Sequence, residues 1–329
     1  MGPYTSAGLA AAVSNAGGLG TISAFLRPVQ DLRDQLNVLR DLTNRPFAVN
    51  HVASVLDEES FVTGLAAQPK LVSLALGDPG DLVKRAHHAG ALKMHQVTTV
   101  DQARQAAERG IDIFVAQGGE AGGYGGSVAA LVLVPQVVDA VRPIPVVAAG
   151  GIFDGRGLAA ALVLGAHGVN VGTRFLASEE APVPDGYKQA ILSALSEDAI
   201  KVDVLDDIMP LPGTAGYGTV QRVLRTPFIE EWQAKREEAR RQAVRLQQRI
   251  AEAAQAGAIH ELLPTAGQTA GGIEEVLPAA EIVAARRRGG SRAVAGINAH
   301  LMGIPTQVTH TGHGAVPARF RDVQVGIMQ

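Results

Sequence analysis

The sequence has no cysteine at any of its 329 positions. Disulfides, thiolate metal sites and cysteine nucleophiles are therefore excluded. Cysteine content gives no indication of whether the protein works in an oxidising or a reducing compartment. Three histidines near the carboxyl terminus, His300, His310 and His313, are the only residues that suggest a metal, and nothing in their spacing fixes them in a site. We expect no metal centre.

Long apolar runs and a strong charge of one sign are also missing. No run approaches the roughly 18–20 apolar residues that span a bilayer, and the amino terminus lacks the basic-then-apolar pattern of a signal peptide. The formal net charge is −3, which gives no general affinity for polyanions. We therefore expect a soluble, cytoplasmic protein that binds neither a membrane nor nucleic acid.

Strands and helices alternate without a break through the first half of the chain. Each apolar run of strand length is followed by a helical segment, with a period of roughly 20–30 residues. Repeated βα units of this length imply a parallel sheet with helices outside. The predicted strands are residues 20–24, 47–52, 71–76, 92–97, 111–116, 145–149 and 168–171.

In the strand–helix–strand unit at residues 145–175, both strands end in glycine-rich turns. Gly150-Gly151 follow the first strand and Gly172-Thr173 follow the second. Backbone N–H groups in such turns can hold a phosphate, because no Cβ blocks the approach. Two turns of this kind at the end of a repeated βα chain are typical of the phosphate site of a TIM barrel.

Seven strands are one fewer than a closed barrel of this class requires. The chain opens on a predicted helix, so we expect the first strand to be the missing one and to precede Met1. The predicted fold is α/β, a TIM (β/α)₈-type barrel without its first strand. A helical insertion follows the last barrel strand.

The chain is predicted to divide into four parts. Residues 1–178 form the cofactor-binding barrel, 179–266 the helical insertion, 267–285 a barrel-closing segment and 286–329 a disordered tail without periodicity. A long charged helix in the insertion carries an apolar stripe from Trp232 to Ala253. The stripe predicts a lid over the barrel mouth or, alternatively, a helix packed on the barrel flank.

Amide side chains lie at the carboxyl ends of several predicted strands, where a barrel places its functional groups. Asn50, Gln96 and Gln117 can offer paired donors and acceptors to a planar heterocycle. Charged residues are few there, so a neutral ring system with a phosphate, such as FMN, fits better than a metal. The glycines at 18–20 and 118–126 do not complete a dinucleotide fingerprint, which disfavours a Rossmann fold.

The loop QGGEAGGYGGS at residues 117–127 is the other distinctive segment. Further motifs are AAVSNAGGLGTI at 11–22, FAVNH at 47–51, HQVTTV at 95–100, AAGGIFDGRG at 148–157, NVGTRFLAS at 170–178 and a weaker GQTAG at 267–271. Together they resemble the nitronate monooxygenase family, FMN-dependent TIM-barrel flavoproteins that are related to enoyl-ACP and quinone reductases. The resemblance covers roughly residues 7–285.

The resemblance implies FMN as cofactor and roles for ten residues. Those expected at the flavin ring and ribityl chain are Asn50, Gln96, Gln117 and Gly122. Those expected at the phosphate are Gly150, Gly151, Gly172 and Thr173. Those expected to border the substrate side are Gln268 and Gly271.

Two positions depart from the family pattern. Only Met1–Pro3 remain of the opening strand and turn that form part of the flavin site. Tyr124 stands where many members have the histidine that removes the proton next to the nitro group. A phenol is a poor base at neutral pH but a competent hydrogen-bond donor. His51 and His95 are alternative acids or bases, although their positions within strands favour a structural role.

The sequence thus predicts an FMN-dependent oxidoreductase that oxidises alkyl nitronates with O2. Neutral nitroalkanes are expected to be poor substrates. Tyr124 is either the candidate catalytic residue or an aromatic side chain that only lines the pocket. One alternative is an NAD(P)H-dependent FMN reductase acting on quinones or enoyl thioesters. Another is a truncated or degenerate flavin-binding barrel that is not an enzyme. We expect a monomer or a homodimer whose partners are a small-molecule substrate and O2 or NAD(P)H.

Overall fold

The computed structural model describes residues 4–214, 218–285 and 288–290. Its strands, in chain order, are β1 (Gly20–Ser23), β2 (Phe47–Val52), β3 (Leu71–Ala75), β4 (Leu92–Val97), β5 (Ile113–Gln117), β6 (Gly123–Gly125), β7 (Val146–Ala149), β8 (Gly168–Asn170), β9 (Ala199–Val202) and β10 (Val220–Leu224).

The helices are α1 (Ala7–Asn15), α2 (Val29–Leu42), α3 (Glu58–Ala66), α4 (Leu82–His88), α5 (Val100–Glu108), α6 (Ala130–Val141), α7 (Gly155–Val163), α8 (Thr173–Leu176), α9 (Asp185–Leu192), α10 (Val204–Ile208), α11 (Pro227–Ala234), α12 (Arg236–Arg241) and α13 (Ala243–Gln255). Residues 279–285 and 288–290 are also helical.

Seven parallel strands form the main sheet, in the order β1-β2-β3-β4-β5-β7-β8. They are the seven strands that the sequence predicts, with ends that differ by one or two residues. Among the described residues no strand precedes α1 or joins β8 to β1, which agrees with the missing first strand. The predicted TIM-barrel-type α/β fold is confirmed.

The strands are buried on both faces, which explains why they read as continuous apolar runs. One face packs into the barrel interior, and its apolar core consists of Leu19, Ala48, Leu71, Met94, Ile113, Val115, Val147 and Ala149. The other face packs under the helices, with Val72, Leu74 and Phe114 among its contacts. Asp154 caps α7, because its carboxylate accepts hydrogen bonds from the N–H groups of Arg156 and Gly157.

His51 and His95 belong to the helix-facing side of the sheet. In the sheet register both pair with Leu74, which packs under the helices. The His51 ring meets the Phe61 ring of α3 edge-on, with 5.1 Å between centroids. Burial lowers the pKa of each histidine to about 4. Both are therefore neutral structural residues turned away from the barrel interior, and the alternative acid–base role for them is wrong.

The segment from 179 to 266 contains the predicted helices together with two strands that the sequence analysis does not predict. β9 and β10 join β6 of the barrel loop in an antiparallel sheet of order β6-β10-β9. The expected single long helix is divided into α11, α12 and α13. Its apolar stripe remains buried in a core that belongs to the insertion and includes Trp232, Leu246 and Ile250.

The closing segment begins with a 3-10 helix at Gln268–Gly272, and a helix follows from residue 279. Between these two helices, Leu277 forms an isolated parallel β-bridge with Ser178. Residues 288–290, within the predicted tail, are helical. The rest of 286–329, including His300, His310 and His313, and Met1–Pro3 lie outside the described residues.

An ion pair between Lys93 of β4 and Asp112 gives a prediction for stability. Their charged atoms are 2.6 Å apart, and both side chains are at most 10% exposed. Lys93→Met leaves the Asp112 carboxylate buried without its cation, so we expect a loss of about 3–5 kcal/mol in the free energy of unfolding. Denaturant unfolding measures this loss.

The matched control is Lys84→Met, which breaks the exposed pair between Lys84 and Asp81. An exposed pair contributes little, so its loss is expected to cost no more than about 1 kcal/mol. Equal losses in the two variants would contradict the prediction.

Candidate active site

A cavity of about 410 Å³ lies at the carboxyl edge of the main sheet. Its volume is within the range of roughly 300–1,000 Å³ typical of small-molecule sites. Five strands contribute their last residues to it, namely Val52, Ala75, Gln117, Ala149 and Asn170, and β4 contributes Gln96, its second-to-last residue. One cavity can touch six strand ends only because the sheet is curled around it.

Glycine-rich turns form the part of the wall that follows β7 and β8. Gly150 and Gly151 have φ angles of 90° and 71°, a left-handed conformation that disfavours other residues. A Cβ on Gly150 would also lie 2.9 Å from the carbonyl oxygen of Gly118. Gly172 and Thr173 line the same cavity, and the Thr173 hydroxyl accepts a hydrogen bond from the Gly267 N–H at 2.9 Å. All four predicted phosphate residues therefore lie together.

Two glutamine amides face the cavity, Gln96 of β4 and Gln117 of β5. The Oε1 atom of Gln117 is buried and has no hydrogen-bond partner among the described residues. An unpaired buried acceptor costs about 1–3 kcal/mol, so such an atom is typical of a site that a ligand donor completes. Gly122, the fourth residue expected at the ring, also lines the cavity.

Asn50, Gln268 and Gly271 do not line this cavity, and their roles stay predictions. The Asn50 amide donates to the Ser73 hydroxyl and carbonyl at 3.2 and 3.3 Å, one layer deeper in the barrel. A Cβ on Gly271 would lie 2.4 Å from the Ser196 nitrogen, because this glycine packs against the insertion. The chain reaches the cavity through the neighbours of Gln268, which are Gly267 and Thr269.

The glycine loop, residues 118–126, is held by two cations of the insertion. The guanidinium of Arg222 donates twice to the Gly119 carbonyl, at 3.2 and 2.7 Å. Lys201 donates to the carbonyls of Gly125 and Gly126. Burial lowers the pKa of both cations. The loop carries six glycines, so its carbonyl groups are the principal points at which neighbours can hold it.

Tyr124 lies in β6, opposite Gln221 of β10, and both line the cavity. Its side chain packs against the cluster of Val52, Ala75 and Leu76. Burial, with Asp206 as a lesser cause, raises the pKa of Tyr124 to about 12. The phenol therefore keeps its proton at neutral pH and can donate a hydrogen bond but not act as a base.

The insertion forms the outer wall of the cavity through Met209, Gln221, Ile250, Ala254, Ile259 and Leu263. The insertion therefore contributes to the cavity wall, and its role as a lid stays a prediction. On the barrel side the wall includes Tyr4, Phe25 and Leu26. Sequence analysis misses these residues, because an apolar side chain that lines a cavity has the same local pattern as one that packs in a core.

The described residues contain neither a membrane-spanning helix nor a cluster of metal ligands. No helix there is long and apolar enough to cross a membrane. No group of three or more histidine or carboxylate side chains in that part of the chain is arranged to hold a metal ion.

Comparison with known proteins identifies the family. The nitronate monooxygenase family model matches residues 1–285. A probable nitronate monooxygenase of Staphylococcus aureus is 32% identical over 278 residues, which cover 70% of this chain and 75% of the relative. The 5-hydroxy-7a-methyl-1-oxo-octahydro-1H-indene-4-carboxyl-CoA dehydrogenase of Mycobacterium tuberculosis is 38% identical, but the match spans 70% of this chain and only 63% of that relative.

Solved structures agree with this assignment. FabK from Thermotoga maritima has a TM-score of 0.82 and 33% identity, over 91% of this chain and 93% of that one. A nitroalkane oxidase from Streptomyces ansochromogenes has a TM-score of 0.77 and 28% identity, over 90% and 95% of the two chains. The chain belongs to the nitronate monooxygenase family.

Proposed function

We propose that the cavity binds FMN and that the chain is an oxidoreductase that oxidises alkyl nitronates with O2. The observation that carries this proposal is the convergence of two glycine-rich turns and the unpaired Gln117 amide oxygen on one cavity at the carboxyl edge of the sheet. A flavin ring offers N–H donors and acceptors to amides, and its phosphate suits backbone N–H groups. The cavity thus fits both ends of the cofactor.

Gln96, Gln117 and Gly122 would hold the ring and the ribityl chain. The residues that would hold the phosphate are Gly150, Gly151, Gly172 and Thr173. When bound, FMN supplies the redox chemistry, taking electrons from the substrate and passing them to O2. The protein contributes binding and orientation, and the insertion over the mouth excludes water from the cavity.

Tyr124 determines whether the substrate is used as the nitronate or as the neutral nitroalkane. Its phenol remains protonated, so it can donate a hydrogen bond to a nitronate oxygen. It cannot remove the proton from a neutral nitroalkane, and no histidine lines the described cavity to do so instead. A nitronate has already lost that proton and needs no base. Turnover is therefore expected with nitronates and not with nitroalkanes.

A second candidate is an NAD(P)H-dependent FMN reductase of quinones or enoyl thioesters. The 38% identity to a dehydrogenase named for a carboxyl-CoA substrate supports the thioester class. The outer wall of the cavity is largely apolar, which also suits the carbon skeleton of an acyl group. The two candidates differ in the compound that reduces the flavin.

Replacement of the Gln117 amide tests the flavin site. Gln117→Leu keeps the approximate size of the side chain and removes its hydrogen-bonding groups, so we expect FMN to bind about 5- to 150-fold more weakly, from a loss of about 1–3 kcal/mol. Quenching of FMN fluorescence on binding measures the dissociation constant.

The control is Gln189→Leu on the exposed face of α9, which is expected to bind FMN as the unmodified chain does. Unchanged FMN affinity in Gln117→Leu would contradict the role of this amide. An unmodified chain that takes up no FMN would support the degenerate barrel instead.

The source of electrons distinguishes the two enzyme candidates. We expect an alkyl nitronate to bleach the 450-nm region of bound oxidised flavin under anaerobic conditions, because a nitronate can give up its electrons without prior deprotonation. NADH and NADPH are expected to leave the spectrum unchanged over the same time. Rapid bleaching by a pyridine nucleotide and none by the nitronate would favour the reductase.

A third measurement concerns Tyr124. Tyr124→His places an imidazole that can accept a proton at neutral pH, so we expect kcat/KM for a neutral nitroalkane to rise at least about tenfold. Tyr124→Phe, the control, removes the donor and supplies no base. It is expected to lower kcat/KM for the nitronate without improving the nitroalkane. Equal nitroalkane rates in both variants would show that Tyr124 does not limit proton removal.

A further inference from the structure

The small antiparallel sheet of β6, β10 and β9 carries different side chains on its two faces. Arg222 of β10 and Lys201 of β9 pair in register, and both donate to carbonyl groups of the glycine loop. Side chains alternate between the faces of a strand, so Gln221 lies on the face opposite to Arg222. That face meets the cavity, because Gln221 and Tyr124 both line it. One face thus anchors the loop, and the other presents two polar side chains to the cavity.

Tyr124 and Gln221 are direct partners across β6 and β10. Directly opposed residues of an antiparallel pair lie on the same face, with their side chains close enough to interact. The neighbours of Tyr124 along β6 are Gly123 and Gly125, which have no side chains to compete for this contact. The side chains of Tyr124 and Gln221 are accordingly hydrogen-bonded to each other.

The direction of this hydrogen bond follows from its effect on the phenol. Burial raises the pKa of Tyr124, the charge of Asp206 adds to that effect, and the hydrogen bond with Gln221 lowers the pKa. A contact that lowers the pKa of a phenol favours the phenolate form, so the amide N–H donates and the Tyr124 oxygen accepts. The hydrogen of the phenol is not used in this bond.

The phenol hydrogen of Tyr124 is also not used elsewhere. Among the described residues none accepts it, and Asp206 acts on the phenol through its charge and not through a hydrogen bond. The ring packs against the apolar cluster that includes Val52 and Leu76, which limits where the hydroxyl can lie. Because Gln221 occupies one lone pair of the oxygen, the hydrogen points away from Gln221 and is available to a ligand in the cavity.

We propose that Gln221 is a positioning residue, whose amide donates to the Tyr124 oxygen and thereby directs the phenol hydrogen at an oxygen of the bound nitronate. The proposal rests on the proposed function, in which Tyr124 donates to that oxygen. Gln221 acts on the substrate only through the phenol, so its contribution depends on the presence of Tyr124.

A double-mutant cycle measures this dependence. The probe is propionate, whose planar carboxylate matches the shape and the charge of the reacting end of ethyl nitronate. Isothermal titration calorimetry on the full chain, with and without saturating FMN, gives its dissociation constant without turnover. We expect Tyr124→Phe to weaken binding at least about tenfold, because it removes a donor to a charged group.

Gln221→Met keeps the length of the side chain and removes its amide. We expect it to weaken propionate binding about fivefold in the unmodified chain and less than about twofold in Tyr124→Phe, where no phenol remains to be positioned. Equal losses in the two backgrounds, or no loss in the unmodified chain, would overturn the proposal. The control is Gln248→Met on the exposed face of α13, which is expected to bind propionate as the unmodified chain does.

Gln221→Glu tests the direction of the hydrogen bond. A carboxylate can only accept, so it takes the phenol hydrogen and turns it away from the ligand. We expect propionate to bind at least about thirtyfold more weakly, from this capture together with charge repulsion. In Tyr124→Phe the same replacement adds only the repulsion, so the weakening is expected to be several-fold smaller. The same weakening in both backgrounds would contradict the assigned direction.

NMR of the full chain with tyrosine labelled at the phenolic carbon gives a readout that needs no ligand. The resonance that is missing in Tyr124→Phe belongs to Tyr124. We expect Gln221→Met to shift this resonance, because the phenol oxygen loses its donor, and Gln248→Met to leave it in place. A resonance that Gln221→Met does not move would show that the amide does not bond the phenol, and the proposal would fail.

Failure of this proposal is distinguishable from failure of the proposed function. If a nitronate reduced the bound flavin but the cycle showed no coupling, the function would stand and the role of Gln221 would fail. If the cycle showed the coupling but the chain took up no FMN, or a nitronate did not reduce the flavin, the redox function would fail and the positioning role would stand.

Discussion

The parallel pairing of seven strands is the constraint on which the site depends. Parallel neighbours place all their carboxyl ends at one edge, so residues distant in sequence, such as Gln96 and Gly172, meet around one cavity. The same pairing buries both faces of each strand, which leaves no solvent-facing side on which functional groups could lie. Chemistry in this chain is therefore confined to the strand ends and to the segments that fold over them.

The glycine loop connects this edge to the insertion. It lacks large side chains at most positions, so Arg222 and Lys201 hold it through its carbonyl oxygens. Charge-assisted hydrogen bonds contribute about 1.5–3 kcal/mol each, enough to offset part of the cost of burying the two cations. Tyr124 lies within this loop and pairs with Gln221. Its position is thus determined jointly by the barrel and by the insertion.

Much of the fold could be predicted from the sequence, because the strands are short apolar runs bounded by glycine and their burial leaves a clear pattern. The glycine-rich turns after β7 and β8 were equally readable from the sequence, since they leave glycines there. β9 and β10 were not predicted, because Lys201 and Arg222 interrupt their apolar residues and leave no continuous apolar run. The depth of Asn50 in the barrel could not be predicted, since alternation gives the face of a strand but not the depth of a side chain.

The apolar core of the insertion, which includes Trp232 and Leu246, is separate from the barrel cores. The insertion therefore holds its own shape while it supplies one wall of the cavity, and the barrel supplies the other. A substitution such as one at Met209 can change the space available to a substrate without disturbing the strand ends. The two walls of the cavity thus belong to separately packed parts of the chain, so the shape of the outer wall can vary while the strand ends stay as they are.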